Sequence, residues 1–202
     1  GSVDRTKELM RQCDVNVATG GPAMVKSAYS SGHPSFGVGQ GNVQTIIDRD
    51  VDIADTVKMI LDARIFDHGI ICSGEQTMIT PTEKWEELKS AVIEYGGYWV
   101  EDEAERKRFT DVLFPEGKIA KEMVGQSVQV IAKAAGVEIP PKTKVIVMPE
   151  DAANKKSLLR KEKMFPVITP FKYESFSEAV DIAVENLMIE GKGHSVSVHS
   201  NN

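Results

Sequence analysis

The sequence predicts an α/β fold, three αβα layers about a mainly parallel sheet, on three observations. Short β-prone runs alternate with helical stretches from residue 15 to residue 199, as crossover connections between parallel strands require. Two of the helical stretches repeat apolar residues at core-facing helical spacing. The 202 residues, 41% hydrophobic and 27% charged, suffice for one domain with a sizeable core, or at most two small ones.

In chain order, residues 15–19 read as a short strand that Gly20-Gly21-Pro22 turns into a helix running to about Ser31. Backbone N–H groups at such a helix start can receive a phosphate or another anion, although a plain tight turn uses the same glycines. Strands at 35–38 and 43–47 flank Gly39-Gln40-Gly41-Asn42, where glycine serves either a turn or a close approach to the backbone. A helix over 50–66 follows, with Val51, Ala54, Val57, Ile60, Leu61 and Ile65 apolar and Asp50 as N-cap. Asp67-His68-Gly69 ends it, and the chain delivers Cys72 ahead of a strand at 77–80.

A helix from Pro81 to about Tyr95, capped by Thr82, stops at Gly96-Gly97; a strand at 98–100 and a charged surface helix at 101–113 come next. Residues 118–135 carry Ile119, Met123, Val124, Val128, Val130 and Ile131, a core-facing helix ended by Gly136. A strand at 143–148, a polar loop at 150–160 and a strand at 167–173 lead to the last helix, 175–189, where Ser175 and Glu178 form a capping box. Gly191-Lys192-Gly193-His194-Ser195 then precedes a strand at 196–199.

The formal charge of −6 leaves no basic face for nucleic acid, and no apolar run is long enough for a membrane span. The basic residues between Lys155 and Lys163 read as a solvated segment or as a contact for an anionic cofactor or substrate. Cys13 and Cys72 are too few for a metal cluster, so no metal is expected, and a reducing, cytoplasmic setting is the default. The start lacks a secretory signal peptide, and Gly1-Ser2 reads as a cleavage scar.

A lone thiol such as Cys72 is either a small buried hydrophobe or a nucleophile, and its surroundings favour the second. Ala18-Thr19-Gly20-Gly21-Pro22-Ala23-Met24-Val25-Lys26, Gly37-Val38-Gly39-Gln40-Gly41-Asn42 and Phe66-Asp67-His68-Gly69-Ile70-Ile71-Cys72-Ser73-Gly74-Glu75-Gln76 stand in that order. Together they resemble the CoA-acylating aldehyde dehydrogenases, including the aldehyde dehydrogenase half of bifunctional aldehyde-alcohol dehydrogenases; weaker similarity runs on to Gly193-His194.

The resemblance implies an aldehyde dehydrogenase catalytic domain that converts aldehyde, coenzyme A and NAD(P)+ reversibly to acyl-CoA, with Cys72 as nucleophile. It implies cofactor contacts from Gly20 and Gly21, from Glu162, matched to a carboxylate that accepts from the nicotinamide-side ribose hydroxyls, and from Phe165. His194 matches a histidine that follows a glycine, with an active-site or cofactor-side role; a strand-start histidine satisfied by its neighbours is the other reading. Hydrolytic relatives carry a general-base glutamate where this chain has Gly37, which fits release of the thioester to a thiol.

By the same resemblance, residues 1–34 are the C-terminal edge of the cofactor-binding domain and 35–202 the catalytic thiol domain. Relatives carry a longer N-terminal region and an oligomer-forming tail, so these 202 residues alone are expected to turn over negligibly and the parent to be a homo-oligomer. The aldehyde stays open, as does NAD against NADP; a bacterial microcompartment is the other setting implied. Competing readings are a non-acylating dehydrogenase of the superfamily, a cysteine acyltransferase without a redox step, and a non-catalytic oligomer-forming subunit.

Overall fold

A computed structural model describes residues 2–202, so Gly1 of the expected scar lies outside it. A small sheet pairs β1 (Asn16–Thr19) with β2 (Ser35–Val38) in parallel through α2 (Pro22–Tyr29), against which α1 (Val3–Gln12) rests. The main sheet holds β3 (Gln44–Ile47), β4 (Thr77–Pro81), β5 (Gly97–Trp99), β6 (Val145–Val147), β7 (Val167–Tyr173) and β8 (Val196–His199). Its order is β5-β6-β7-β4-β3-β8, and every neighbouring pair is parallel.

Helices cover both faces, which makes the three expected layers. Val145 and Val147 pack with Ile60, Leu61 and Leu88 of α3 (Ile53–Ile65) and α4 (Trp85–Tyr95). Ile146 turns the other way, to Phe109 of α5 (Glu103–Leu113) and Ile131 of α6 (Val128–Ala135). Ile46 and Phe171 meet Ala179 and Ile182 of α7 (Phe176–Ile189) on the same side. Strands buried on both faces need apolar residues at every position, so they read as continuous runs. Each fully buried aliphatic side chain contributes about 1.5–3 kcal/mol.

Several expectations are corrected. The helix over 118–135 is only α6: residues 121–125 form turns, Gly125 adopts φ +69° with its N–H bonded to Met164 O, and Ser127 Oγ accepts from Val130 N–H to start the helix. Ile119, Met123 and Val124 still pack on the core, which is why their spacing imitates a helix. Asp52, not Asp50, caps α3, accepting from Asp55 N–H at 2.9 Å, while Asp50 accepts from Asn201 N–H. The Thr82 hydroxyl donates to Tyr173 O instead of capping, and α4 begins after a 3-10 turn.

Ser175 does cap α7, but Glu178 accepts from Glu174 N–H, one residue off the expected box. Nor is the basic run wholly solvated, because Arg160 and Lys163 are fully buried. Helix α1 adds an element for which the sequence gives no apolar signal, being mostly polar with Met10 its one buried residue. Pairing of β2 with β1 puts residues 35–38 in the small sheet with residues assigned to the first segment, across the expected boundary at 34/35.

Candidate functional site

Because all main-sheet strands run the same way, the segments leading into them gather on one rim. Four neighbouring strands, β7, β4, β3 and β8, are entered there by the segments that carry Glu162, Cys72, Gly41 and His194.

The Cys72 loop starts at the end of α3. Asp67 (φ +46°), His68 (φ +53°) and Gly69 (φ +75°) are left-handed in succession, a conformation that costs an L-residue about 1–2 kcal/mol. Gly69 is required twice over, since a Cβ there would also lie 2.2 Å from Phe165 O. Gly74 N–H donates to Ile71 O at 3.1 Å, closing a turn about the half-buried Cys72, and Gln76 N–H donates to Val43 O at 2.9 Å as the chain enters the sheet.

Gly41 joins this loop to Glu162. Its N–H donates to Glu162 Oε1 at 3.2 Å, and a Cβ on it would stand 2.2 Å from Cys72 O and 3.1 Å from Glu162 Oε1. The glycine is therefore there for a close approach, one of the two uses its sequence allowed. Glu162 is buried, and burial pushes its carboxyl above the usual range, aided by the Glu190 charge and opposed by the Gly41 N–H.

On the other flank, a Cβ on Gly191 would come within 2.9 Å of Asn42 N and 3.1 Å of Gly41 C. Asn42 Nδ2 donates to Arg160 O at 2.9 Å and to Asn186 O at 3.2 Å, fixing the segment from below. His194 N–H donates to Gly191 O, while its buried Nδ1 has no protein partner among the described residues. His68 is exposed.

Buried basic side chains, Lys163 and Arg64 among them, underlie this rim. Lys163 Nζ donates to Leu159 O at 2.7 Å and Lys161 O at 2.9 Å, and its N–H donates to Gln76 Oε1. Burial, with the Arg64 charge beside it, lowers its pKa to about 7. No periodic signal marks Lys163 or Arg64.

Gly20 and Gly21 stand apart from this cluster, in the small sheet. Gly20 N–H donates to Val38 O, and exposed Gly21 precedes the first turn of α2. The expected cofactor contact from Phe165 is corrected. Its ring is fully buried in the core, edge-on to Phe114 with centroids 6.0 Å apart, while Met164 beside it is half-buried. A cavity of about 570 Å³ lies at the opposite rim, lined by Thr82, Trp85, Arg106, Glu150 and Lys172; no converging nucleophile accompanies it, so size is a poor guide here. Among the described residues no His, Cys, Asp and Glu cluster could hold a metal ion, and no helix is long and apolar enough to cross a membrane.

No family model matches the chain. A succinate-semialdehyde dehydrogenase (acetylating) of Clostridium kluyveri is 47% identical over 201 residues, 100% of this chain and 44% of that protein. An acetylating aldehyde dehydrogenase from Geobacillus thermoglucosidasius superposes with a TM-score of 0.92 at 34% identity, over 100% of this chain and 45% of that one. A propionaldehyde dehydrogenase from Rhodopseudomonas palustris, solved with bound CoA and an acylated cysteine, gives 0.90 at 25% identity, over 100% of this chain and 46% of that one. The chain thus spans less than half the length of these relatives. Across its whole length it is homologous to part of the acylating aldehyde dehydrogenases, the family to which its sequence and its fold both connect it.

Proposed function

We propose that this chain supplies the thiol side of a CoA-acylating aldehyde dehydrogenase, which oxidises an aldehyde to an acyl-CoA with NAD(P)+ as acceptor, reversibly. The observation that carries this is Gly41, where the loop of a half-buried thiol and a buried carboxylate close on one backbone position. The bound CoA and acylated cysteine of the Rhodopseudomonas structure support the same reading.

Cys72 as thiolate attacks the aldehyde carbon, and the new oxyanion takes a proton to give a thiohemiacetal. A nucleotide held at Glu162 would supply the hydride acceptor for that carbon; with the hydroxyl proton lost to water, the carbon–oxygen bond becomes a carbonyl and Cys72 is left as a thioester. The CoA thiolate then attacks the thioester carbonyl, the bond to Cys72 sulfur breaks, and acyl-CoA departs. Glu162 has lone pairs beyond the one facing Gly41 and suits two neighbouring ribose hydroxyls, because an ionised carboxylate is acceptor-only. The unpartnered His194 Nδ1 is a further polar group for substrate or cofactor. At the Gly20-Gly21 turn, Gly21 at the exposed start of α2 offers its backbone N–H to an anion, while the Gly20 N–H is taken by Val38 O. Residues 1–34, with β2 paired to them, form the edge of the cofactor domain.

Release to a thiol instead of water agrees with Gly37. A Cβ there would stand 2.6 Å from Val25 Cγ1 and 3.0 Å from the Tyr29 ring, so no general-base carboxylate fits without displacing them. The two free thiols suit a reducing, cytoplasmic setting. Self-association belongs to the reading as well, supported by the exposed row Phe176, Val180, Val184 and Met188 along α7.

The test is the reverse half-reaction, which needs no nucleotide. The chain is incubated in turn with acetyl-, propionyl- and succinyl-CoA, and peptides are weighed by mass spectrometry. Acyl mass on Cys72, absent from Cys13 and lost in Cys72→Ala, is expected. Acylation of both cysteines alike, or of neither, overturns the proposal.

A further inference from the structure

Arg64 lies in the last turn of α3, is fully buried, and ends on three backbone carbonyls. Nη1 donates to Glu75 O at 3.1 Å; Nη2 donates to Lys163 O at 3.0 Å and to Gly69 O. Gly69 and Glu75 are the two ends of the loop that holds Cys72, and Lys163 directly follows Glu162. Its Nε has no hydrogen-bond partner among the described residues, so the guanidinium is held through these three carbonyls. Desolvation lowers its pKa to about 10, with the Glu75 and Glu162 charges opposing, so it remains a cation at neutral pH.

A buried charge needs a reason, because an apolar side chain of similar volume is often equally or more stabilising at such a site. The planar fork supplies one, since a single rigid group can satisfy several acceptors in fixed relative positions. We propose that Arg64 is a positioning residue that locks the Cys72 loop to the Glu162 segment, so that thiol and carboxylate are held as one body. The proposal rests on the roles given above to Cys72 and Glu162.

The test uses the full chain with Arg64→Lys, which keeps the charge but loses the fork, and Arg64→Met, which keeps the bulk but loses the charge. Amide hydrogen exchange is followed by mass spectrometry, together with alkylation of Cys72 and Cys13 against pH. Exchange over residues 69–76 and 161–164 is expected to rise together, about tenfold or more, while β5 and β6 keep their protection. The Cys72 alkylation profile shifts, that of Cys13 stays, and lysine restores part of what methionine loses. A uniform rise across the sheet, or a rise in only one of the two segments, overturns the proposal. If Arg64→Met fails to fold, Arg64→Lys carries the test. Failure of the unaltered chain to acylate Cys72, with exchange still coupled, sinks the thiol assignment and leaves the lock standing.

Discussion

Gly41→Ala is the most informative single perturbation. The new methyl carbon would lie 2.2 Å from Cys72 O and 3.1 Å from Glu162 Oε1, with φ outside the left-handed region, so the conflict is one of space and not of backbone strain. Ordinary contact begins near 3.4 Å, so the Cys72 loop must retreat by about 1 Å. A misplacement of about 1 Å at a reacting group can cost about 10²-fold in rate, and forced overpacking costs about 1–3 kcal/mol. The assay is the time course of Cys72 acylation by acyl-CoA, with urea unfolding in parallel. Gly39→Ala is the control, because a Cβ at Gly39 meets nothing within 4 Å. Acylation of Gly41→Ala at the parent rate would refute the convergence of the two segments on this residue.

Lys163 predicts a pH dependence of stability. Its pKa of about 7 when folded, against the ordinary lysine value of 10.5, means that the unfolded chain binds more protons across that window. Stability relative to Lys163→Met should therefore rise as pH climbs from about 7 to about 10.5, by at most about 1.4 kcal/mol per pH unit; parallel urea-derived curves for the two chains would contradict it. For Phe165→Ala, loss of a fully buried ring in the core should cost about 3–5 kcal/mol in thermal or urea unfolding. A loss below about 1 kcal/mol would show that the ring is not a packing residue.

Strands were the most legible part of the chain. β2, β7 and β8 occupy the ranges read from the sequence: β7 is buried at every position but Lys172 and so reads as a continuous apolar run, whereas β2 and β8 alternate half-buried and exposed residues and are marked by β-prone residues between turns. Residues 118–135 were misread because packing on a core by way of turns leaves the same apolar spacing as packing by a helix, and only Gly125 and Ser127 marked the difference. At the candidate site, the sequence offers Cys72 and Glu162 as candidates, yet what joins them carries no sequence signal. Gly41 acts through a side chain it lacks, and Arg64 and Lys163 act from inside a core where composition expects no charge. Phe165 failed for a related reason: next to a half-buried Met164, the aromatic identity says nothing about which of the two faces inward.

The rim on which these residues meet has an electrostatic consequence. Helices α3 and α7 run back against the parallel strands, so their carboxyl ends arrive where β4 and β8 begin. Each such end carries about half a negative charge, whereas anion sites in open parallel sheets usually exploit the amino ends gathered at the opposite rim. The buried guanidinium of Arg64, bonded to the carbonyls of Gly69 and Glu75, sets a positive charge at both ends of the Cys72 loop, beside the carboxyl end of α3. Counter-ions in solution act on exposed charges and reach buried ones poorly. Cys72 acylation by an uncharged thioester should accordingly be nearly indifferent to added salt and sensitive to that one interior cation.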